Sequence, residues 1–168
     1  MDVAAQVVEF WSEAGPTKWF ARDDAFDARF RERFLEEHYA AASRGREHWL
    51  GSSEGALALM LLLDQFPRNC FRGTAHSFAT DGLARHYAMR AIEEGLDLQL
   101  VPKLRAFIYL PFEHSEDPLD QDRSVAMFDV LGDKEYLQYA ELHRDIIRRF
   151  GRFPHRNAVL GRLPTAEE

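Results

Sequence analysis

Cysteine, lysine and long apolar segments are all scarce in this sequence of 168 residues. The single cysteine, Cys70, has no partner for an intramolecular disulfide, so the fold depends on its core rather than on covalent links. The longest uninterrupted apolar run covers residues 56–63, whereas about 20 residues are needed to span a bilayer. No basic segment followed by an apolar stretch opens the chain. We therefore expect no signal peptide and a cytoplasmic protein.

Positive charge is also in short supply. The chain has 28 acidic and 21 basic residues, which gives a formal net charge of −7. Phosphate contacts dominate the affinity of nucleic-acid-binding proteins, which usually carry a basic excess. The composition therefore argues against nucleic acid and against an anionic membrane surface as partners. Hydrophobic residues make up 46% and charged residues 29%, which is typical of one globular domain of this length.

Sequence motifs that hold cofactors or metals are missing. Neither a Gly-rich phosphate loop nor a Rossmann glycine pattern occurs, and HExxH, paired CxxC and EF-hand spacings are absent. The Glu-x-x-His pattern of ferritin-like sites does not occur around His143. We therefore expect no cofactor and no metal, although the chain contains residue types that can ligate one: Asp64, Glu113, His114, Glu116, His143 and His155.

What the sequence does contain is helical periodicity along nearly its whole length. The pattern predicts seven helices, at residues 3–13, 24–43, 54–66, 74–95, 100–110, 118–131 and 134–150. The third is apolar all round, which is typical of a buried helix, and Pro67 and Pro111 are expected to end helices. No strand pattern is found. We predict a single all-α domain over residues 1–168, with seven or eight helices in antiparallel pairs.

The last residues, 164–168, resemble the first turn of a further helix. A truncated C-terminal helix is therefore part of the expected domain.

Polar residues occur at three helix ends, and the first of these segments is residues 61–69. Asp64 closes an apolar run, and a buried carboxylate is costly unless it is paired. Arg68 and Arg72 are the local partners to expect. The pair would either lock the helix end or contribute to a site.

The second segment is residues 109–117, where an apolar helix meets a dense polar turn. His114, between Glu113 and Glu116, has the chemistry of a general acid or base. Ser115 and Asp117 suit the alternative interpretation, in which the turn caps the following helix.

The third segment begins at His143, on the apolar face of the last long helix, and continues through residues 152–157. A histidine on such a face is more often a core residue than a ligand. Residues 152–157 repeat a pattern seen at 65–69, in which Phe-Pro precedes Arg-Asn. Charges are also segregated, because residues 113–122 hold five acids and residues 146–166 hold five Arg. Such blocks either pair within the fold or form two solvated faces.

These segments carry a family resemblance. The strings at residues 8–11, 19–20, 26–27, 63–69, 109–116, 151–157 and 160–162 resemble a bacterial family of unknown function, family 924. The resemblance covers nearly the whole chain and implies an all-α fold similar to tetratricopeptide-like helical repeats. It implies no activity, so no catalytic residue follows from it. Family members continue past residues 165–168 into a short helix and tail.

The first functional hypothesis is a small-molecule site at converging helix ends, since antiparallel helices bring these segments to one edge. Convergent Arg, His and Asn side chains suit a small anionic ligand. The catalytic candidates are Asp64, Glu113 and His114, and the ligand-binding candidates are Arg68, Asn69, His143, Arg152, His155, Arg156 and Asn157.

Three alternatives stand beside this one. A helical scaffold would bind a protein or peptide partner in a groove lined by exposed Trp11, Trp19, Phe20 and Trp49. A hydrolase-type or metal-assisted enzyme would use His114 and the nearby carboxylates. The polar segments would otherwise only stabilise helix ends. A site requires the ionisable residues in one concave pocket, whereas a scaffold requires an apolar groove away from them.

Overall fold

The computed structural model describes residues 2–168, and within that range it contains helices and no strands. This confirms the all-α fold. Long helices are α1 (Val3–Ala14), α2 (Asp24–Ala42), α3 (Ser53–Met60, continued by Leu61–Gln65 and Phe66–Cys70), α4 (Asp81–Glu93), α5 (Pro102–Glu113), α6 (Pro118–Leu131) and α7 (Lys134–Phe150). Short helices or 3₁₀ turns occur at Pro16–Trp19, Glu47–Gly51, Ala75–Phe78, Asp97–Gln99, Pro154–Arg156 and Asn157–Leu160.

Helix α3 lies at the centre of the core, as its all-apolar sequence predicts. Every residue from 56 to 63 is fully buried. Helices α1, α2, α4 and α5 pack around it. The Phe26, Phe30 and Phe34 side chains recur every four residues on α2 and are all buried against this core.

The last three long helices pack as consecutive antiparallel neighbours, α5 with α6 and α6 with α7. Residues 114–117 join the first pair, and only Gly132 and Asp133 join the second. Gly132 adopts a left-handed conformation (φ 80°) that ends α6, and the Asp133 carboxylate accepts hydrogen bonds from the first amides of α7. These tight connections place the C-terminal end of α5 beside the middle of α7.

Pro67 does not end α3, contrary to the expectation. The helix widens into a π-helical turn, in which the Phe66 amide donates to the carbonyl of Leu61 and leaves the Leu62 carbonyl free. Pro67 has no N–H, so the Leu63 carbonyl also lacks its usual helical donor. Side chains from outside the helix fill both places: His38 Nδ1 donates to Leu62 O at 2.8 Å, and the Thr80 hydroxyl donates to Leu63 O.

Pro111 does not end α5 either, and the helix runs on to Glu113. The hydrogen-bond ladder resumes after the proline, because the His114 amide donates to Leu110 O at 3.0 Å. Burial of Leu110 and Phe112 around the proline offsets the one backbone hydrogen bond it removes. The extension carries Glu113 into the core.

Two further boundaries differ from the prediction. Helix α4 begins at Asp81 and not near residue 74. A 3₁₀ turn, Ala75–Phe78, precedes it, and Ser77 Oγ and the Thr74 amide both donate to the Phe71 carbonyl there. Residues 164–168 form a turn and not the start of a helix. The Glu168 carboxylate binds Arg152 there.

Two other expectations, an exposed aromatic groove and the pairing of the charge blocks, concern the surface of the protein. Trp11, Trp19 and Trp49 are buried, so the groove of exposed aromatic residues does not form, and Phe20 alone of that set is exposed. The segregated charges do pair, as in Arg148 with Asp122 and other contacts between the two blocks. Within residues 2–168, no helix combines the length and the apolarity needed to cross a membrane.

The π-helical turn generates a first prediction. Thr80→Val removes the donor to the buried Leu63 carbonyl and should lower the free energy of unfolding by about 1–3 kcal/mol. Thr74→Val is the matched control, because the exposed Phe71 carbonyl keeps other donors and water. Urea denaturation of both variants measures the difference. Equal stability of the two variants would show that the turn does not depend on Thr80.

Candidate functional site

Residues from all three polar segments meet where α3, the end of α5 and the middle of α7 come together. Segments 61–69 and 109–117 both reach this place, and His143 is the residue that the third segment contributes. Asp64 lies on the π-helical turn of α3, Glu113 and His114 lie at the end of α5, and His143 lies on α7. The connections α5–α6–α7 described above bring the last three into one place. The structure therefore brings together four of the predicted site residues.

Asp64 and His114 form the closest polar contact of this group. His114 Nδ1 lies 2.7 Å from Asp64 Oδ1. An ionised carboxylate only accepts hydrogen bonds, so the proton of this bond belongs to Nδ1. When the His114 ring carries only this proton, Nε2 is an acceptor, and no hydrogen-bond partner of Nε2 is found in the described chain. Only 1% of the Asp64 side chain is exposed, against 14% for His114.

Asp64 remains ionised although its carboxylate is buried. Desolvation by burial raises its pKa, but the charges of His114 and Arg68 and hydrogen bonds from His114 and Gln65 outweigh that effect and lower the pKa of Asp64 to about 2. Arg68 Nη1 lies 3.2 Å from Oδ1, and Gln65 Nε2 donates to Oδ2 at 2.7 Å. The expected local partner is therefore Arg68, while Arg72 pairs with Asp27.

The two Phe-Pro…Arg-Asn segments converge on one carboxylate, Asp81. Arg68 donates to both Asp81 oxygens, at 2.7 and 2.9 Å, and Arg156 Nη1 lies 3.6 Å from Asp81 Oδ2. Both guanidinium groups also lie over the Phe78 ring. Burial is the largest effect on the pKa of Arg156 and lowers it. The negative charge of Asp81 raises this pKa and the positive charge of Arg68 lowers it, so that the pKa is about 10. Arg156 Nη2 donates to the carbonyl of His114 and so fixes its backbone.

Glu113 and His143 form the second pair. Glu113 Oε1 lies 3.2 Å from His143 Nδ1, which donates its proton to the carbonyl of Tyr139 at 2.7 Å. Burial and the charge of Asp64 raise the pKa of Glu113 to about 8, against a lowering effect of Arg68. Burial also lowers the pKa of His143 to about 4, despite the bond to Tyr139. Neutral His143 therefore presents Nε2 as a second acceptor.

These residues border a cleft of about 540 Å³. Glu113, His114 and His143 form a polar part of its wall, and aromatic rings, two further acids and one lysine form much of the rest. The full lining is Pro16, Trp19, Phe20, Lys103, Leu110, Glu113, His114, Asp133, Glu135, Tyr136, Tyr139 and His143. A concave space with few polar groups on an apolar wall is the usual form of a small-molecule site.

The other predicted ligand-binding residues lie outside this cleft. Asn69 donates to Asp27, and Arg152 and Asn157 both bind the Glu168 carboxylate. His155 contacts the rings of Phe78 and Phe153. Arg68 and Arg156 are committed to Asp81, so these arginines support the site from behind and do not line it.

Part of the cleft wall consists of residues that were not predicted from the sequence. Tyr136 lies two helical turns before His143 on the same face of α7, a spacing that could have placed it beside the site. Trp19, Phe20 and Lys103 come from segments distant in sequence, and no motif signals their approach. Across residues 2–168, no group of three or more His, Cys, Asp or Glu side chains is arranged to hold a metal ion.

Comparison with known proteins identifies relatives of this chain. A family model described as "Bacterial protein of unknown function (DUF924)" matches residues 7–168. The solved structure of a protein of unknown function from Agrobacterium tumefaciens is 55% identical, covering 98% of this chain and 93% of that chain with a TM-score of 0.96. No curated protein matches. Both similarities extend over the segments that form the cleft, and the descriptions of the family and of the related structure name no activity.

The buried Asp64 charge generates a second prediction. Asp64→Asn keeps the side-chain volume but leaves Arg68 and His114 without their shared anion, so the free energy of unfolding should fall by about 3–5 kcal/mol. Asp24→Asn is the control, because its pair with Arg22 is largely exposed. Chemical denaturation compares the two. A loss no larger than that of the control would mean that Asp64 is not the anion that organises this region.

Glu113 generates a third prediction, on pH. The folded state keeps a proton on Glu113 up to about pH 8, whereas the unfolded chain releases it near 4.5. Wild-type stability should therefore fall relative to Glu113→Gln by roughly 1 kcal/mol per pH unit as pH rises through this interval. Glu135→Gln, on the exposed rim, is the control. Denaturation between pH 5 and 8 measures the slope, and parallel curves for wild type and Glu113→Gln would contradict the assignment.

Proposed function

Within DUF924, the bacterial family of unknown function to which this chain belongs, we propose that the cleft between α5 and α7 binds a small molecule and that His114 exchanges a proton with it. One observation carries the proposal. His114 is held through Nδ1 by a buried carboxylate, while its other ring nitrogen has no partner in the described chain and the residue lines a concave space. A histidine so oriented is the common form of a general acid or base.

Asp64 has two effects on His114 in this proposal. It fixes the ring and its tautomer through the 2.7 Å bond to Nδ1, and its negative charge stabilises the imidazolium that forms when Nε2 accepts a proton. Arg68 and Gln65 hold Asp64 in turn. The proton-accepting atom is therefore preorganised before any ligand arrives, which lowers the reorganisation that proton transfer requires.

The lining supports a ligand with an apolar or aromatic body. Trp19, Phe20 and Tyr136 contribute ring surface to the wall, and Glu113, His114 and His143 contribute polar atoms. For the anionic ligand that the sequence predicts, Lys103 is the lysine available on the wall, since the predicted arginine clamps bind acids of the chain. We propose a small carboxylate whose charged group approaches Lys103 and accepts a hydrogen bond from Nε2 once His114 has taken up a proton.

A matched pair of probes tests this proposal. Phenylacetate and phenethylamine share an aromatic body and differ in the sign of their charge. Phenylacetate at 100 times its Kd should stabilise the protein by about 2.7 kcal/mol, which raises Tm by roughly 5–10 °C. His114→Ala should abolish that shift, and His86→Ala, an exposed histidine on α4, should retain it.

The outcomes separate the parts of the proposal. Stabilisation by phenethylamine alone would overturn the anionic ligand but retain the cleft. No stabilisation by either probe, or an equal shift in His114→Ala, would overturn the small-molecule site at His114.

A scaffold function is the second candidate, and one surface feature supports it. Tyr139, Leu142 and Ile146 are exposed along one side of α7, at 52%, 51% and 36%. Such a stripe suits a protein partner. Leu142→Glu should weaken partner binding and leave the phenylacetate shift unchanged, which distinguishes this candidate from the cleft.

A further inference from the structure

Glu113 has a proton with no acceptor in the chain. Its Oε1 lies 3.2 Å from His143 Nδ1, but that nitrogen donates its proton to the Tyr139 carbonyl and cannot accept one from Glu113. Oε2 is buried and has no hydrogen-bond partner within residues 2–168. Only 3% of Glu113 is exposed, yet the residue lines the cleft. A buried polar atom without a partner is costly, and here a ligand is the group that could satisfy it.

The charged and titratable groups around Glu113 favour the protonated form. Burial is the largest effect that raises the pKa of Glu113; on α3, the negative charge of Asp64 adds to it and Arg68 opposes it. On α7, His143 is neutral, and burial, followed by the charges of Asp133 and Glu135 and of Glu113 when it is ionised, raises the pKa of the nearby Tyr136 hydroxyl. From α6, Gln121 binds only the backbone carbonyl of Glu113. An ionised Glu113 would therefore leave one oxygen of its carboxylate uncompensated.

We propose that Glu113 is the proton donor of the cleft, complementary to the acceptor His114, and that it donates a hydrogen bond to a carbonyl or carboxylate oxygen of the ligand. The inference rests on the proposed function for the role of His114. Asp64 and Glu113 are then two carboxyl groups whose surroundings separate their roles, one ionised to orient a base and one neutral to act as an acid.

The transfer balances in protons. When His114 Nε2 takes a proton from the ligand, the electron pair of the broken bond stays on the ligand, the O–H bond of Glu113 breaks and its proton moves to the ligand's carbonyl oxygen. The cleft then contains an imidazolium and a carboxylate in place of two neutral groups. A proton passed back from His114 to Glu113 through product or water restores the starting state. No oxidant or further reactant is needed.

The protonation state of Glu113 is measured without any ligand. In protein labelled with ¹³C at the glutamate side-chain carboxyl, the resonance missing from Glu113→Gln identifies Glu113. Its titration midpoint should lie near pH 8. A midpoint below pH 6 would overturn the proposal, because the group would then be ionised at neutral pH.

Access from the cleft is measured with a hydrophobic carbodiimide, which reacts with protonated carboxyl groups. The carboxyl oxygen bonds to the carbodiimide carbon, the carboxyl proton moves to nitrogen, and rearrangement leaves a stable N-acylurea with the full mass of the reagent. At pH 7, peptide mass spectrometry should find the adduct on Glu113 and little on Glu135, which lies exposed on the same cleft. The yield should fall as pH rises through 8.

The results distinguish this inference from the proposed function. Labelling of Glu113 that phenylacetate blocks supports both. Labelling in a protein that binds neither probe retains Glu113 as a protonated acid that can be reached from the cleft and overturns the ligand site at His114. The carbodiimide concentration is set to one that modifies free glutamic acid at pH 4. A high titration midpoint of Glu113 without labelling at that concentration would show that Glu113 cannot be reached from the cleft and would overturn the donor role.

Discussion

The buried carboxylate of Asp64 is the constraint on which the centre of this structure depends. It lies inside the most apolar helix of the chain, where an unpaired charge would cost several kcal/mol. Arg68, Gln65 and His114 all bind it, and Arg68 continues to Asp81. Asp64 thereby joins α3 to the end of α5 and to the start of α4. The same contacts that compensate the charge also orient His114 toward the cleft.

The π-helical turn explains how that carboxylate fits a helix that contains a proline. The widened turn at Leu61–Gln65 and the missing N–H of Pro67 leave two carbonyl groups without backbone donors, and His38 and Thr80 replace those donors. His38 also lies 2.8 Å from His76 through their Nε2 atoms, so the turn is connected to the segment before α4. π-Helical turns occur frequently at functional sites, and this one carries the candidate site's anion.

Much of the fold could be predicted from the sequence because helical periodicity and capping residues are local signals. The seven long helices and the burial of residues 56–63 follow from such patterns, whereas charge segregation left open whether the two blocks pair, as Arg148 and Asp122 do. The errors at Pro67 and Pro111 arise from tertiary contacts, since a proline ends a helix only when nothing else satisfies the backbone it disrupts. Those contacts involve residues distant in sequence, such as Thr80 with Leu63, which no local window includes.

The candidate site was predictable in its polar members and not in its wall. Asp64, Glu113, His114 and His143 stand out as costly polar residues beside apolar helices, and the structure brings them together. Residue type alone could not separate the arginines, because a guanidinium suits a buried partner acid as well as a ligand anion. The arginines pair with Asp81 or Glu168 and therefore lie outside the cleft, and only the tertiary structure shows these pairs.

The central claim of this account is that Asp64 holds the proton of His114 on Nδ1 and leaves Nε2 as the acceptor that faces a ligand. Long-range ¹⁵N–¹H correlation spectra of histidine-labelled protein report the tautomer of each ring directly. With His114 assigned by its absence in His114→Ala, the account predicts the Nδ1–H tautomer for the neutral ring, and its loss in Asp64→Asn. An Nε2–H tautomer in the wild-type protein would contradict the account, because His114 would then have no lone pair to offer in the cleft.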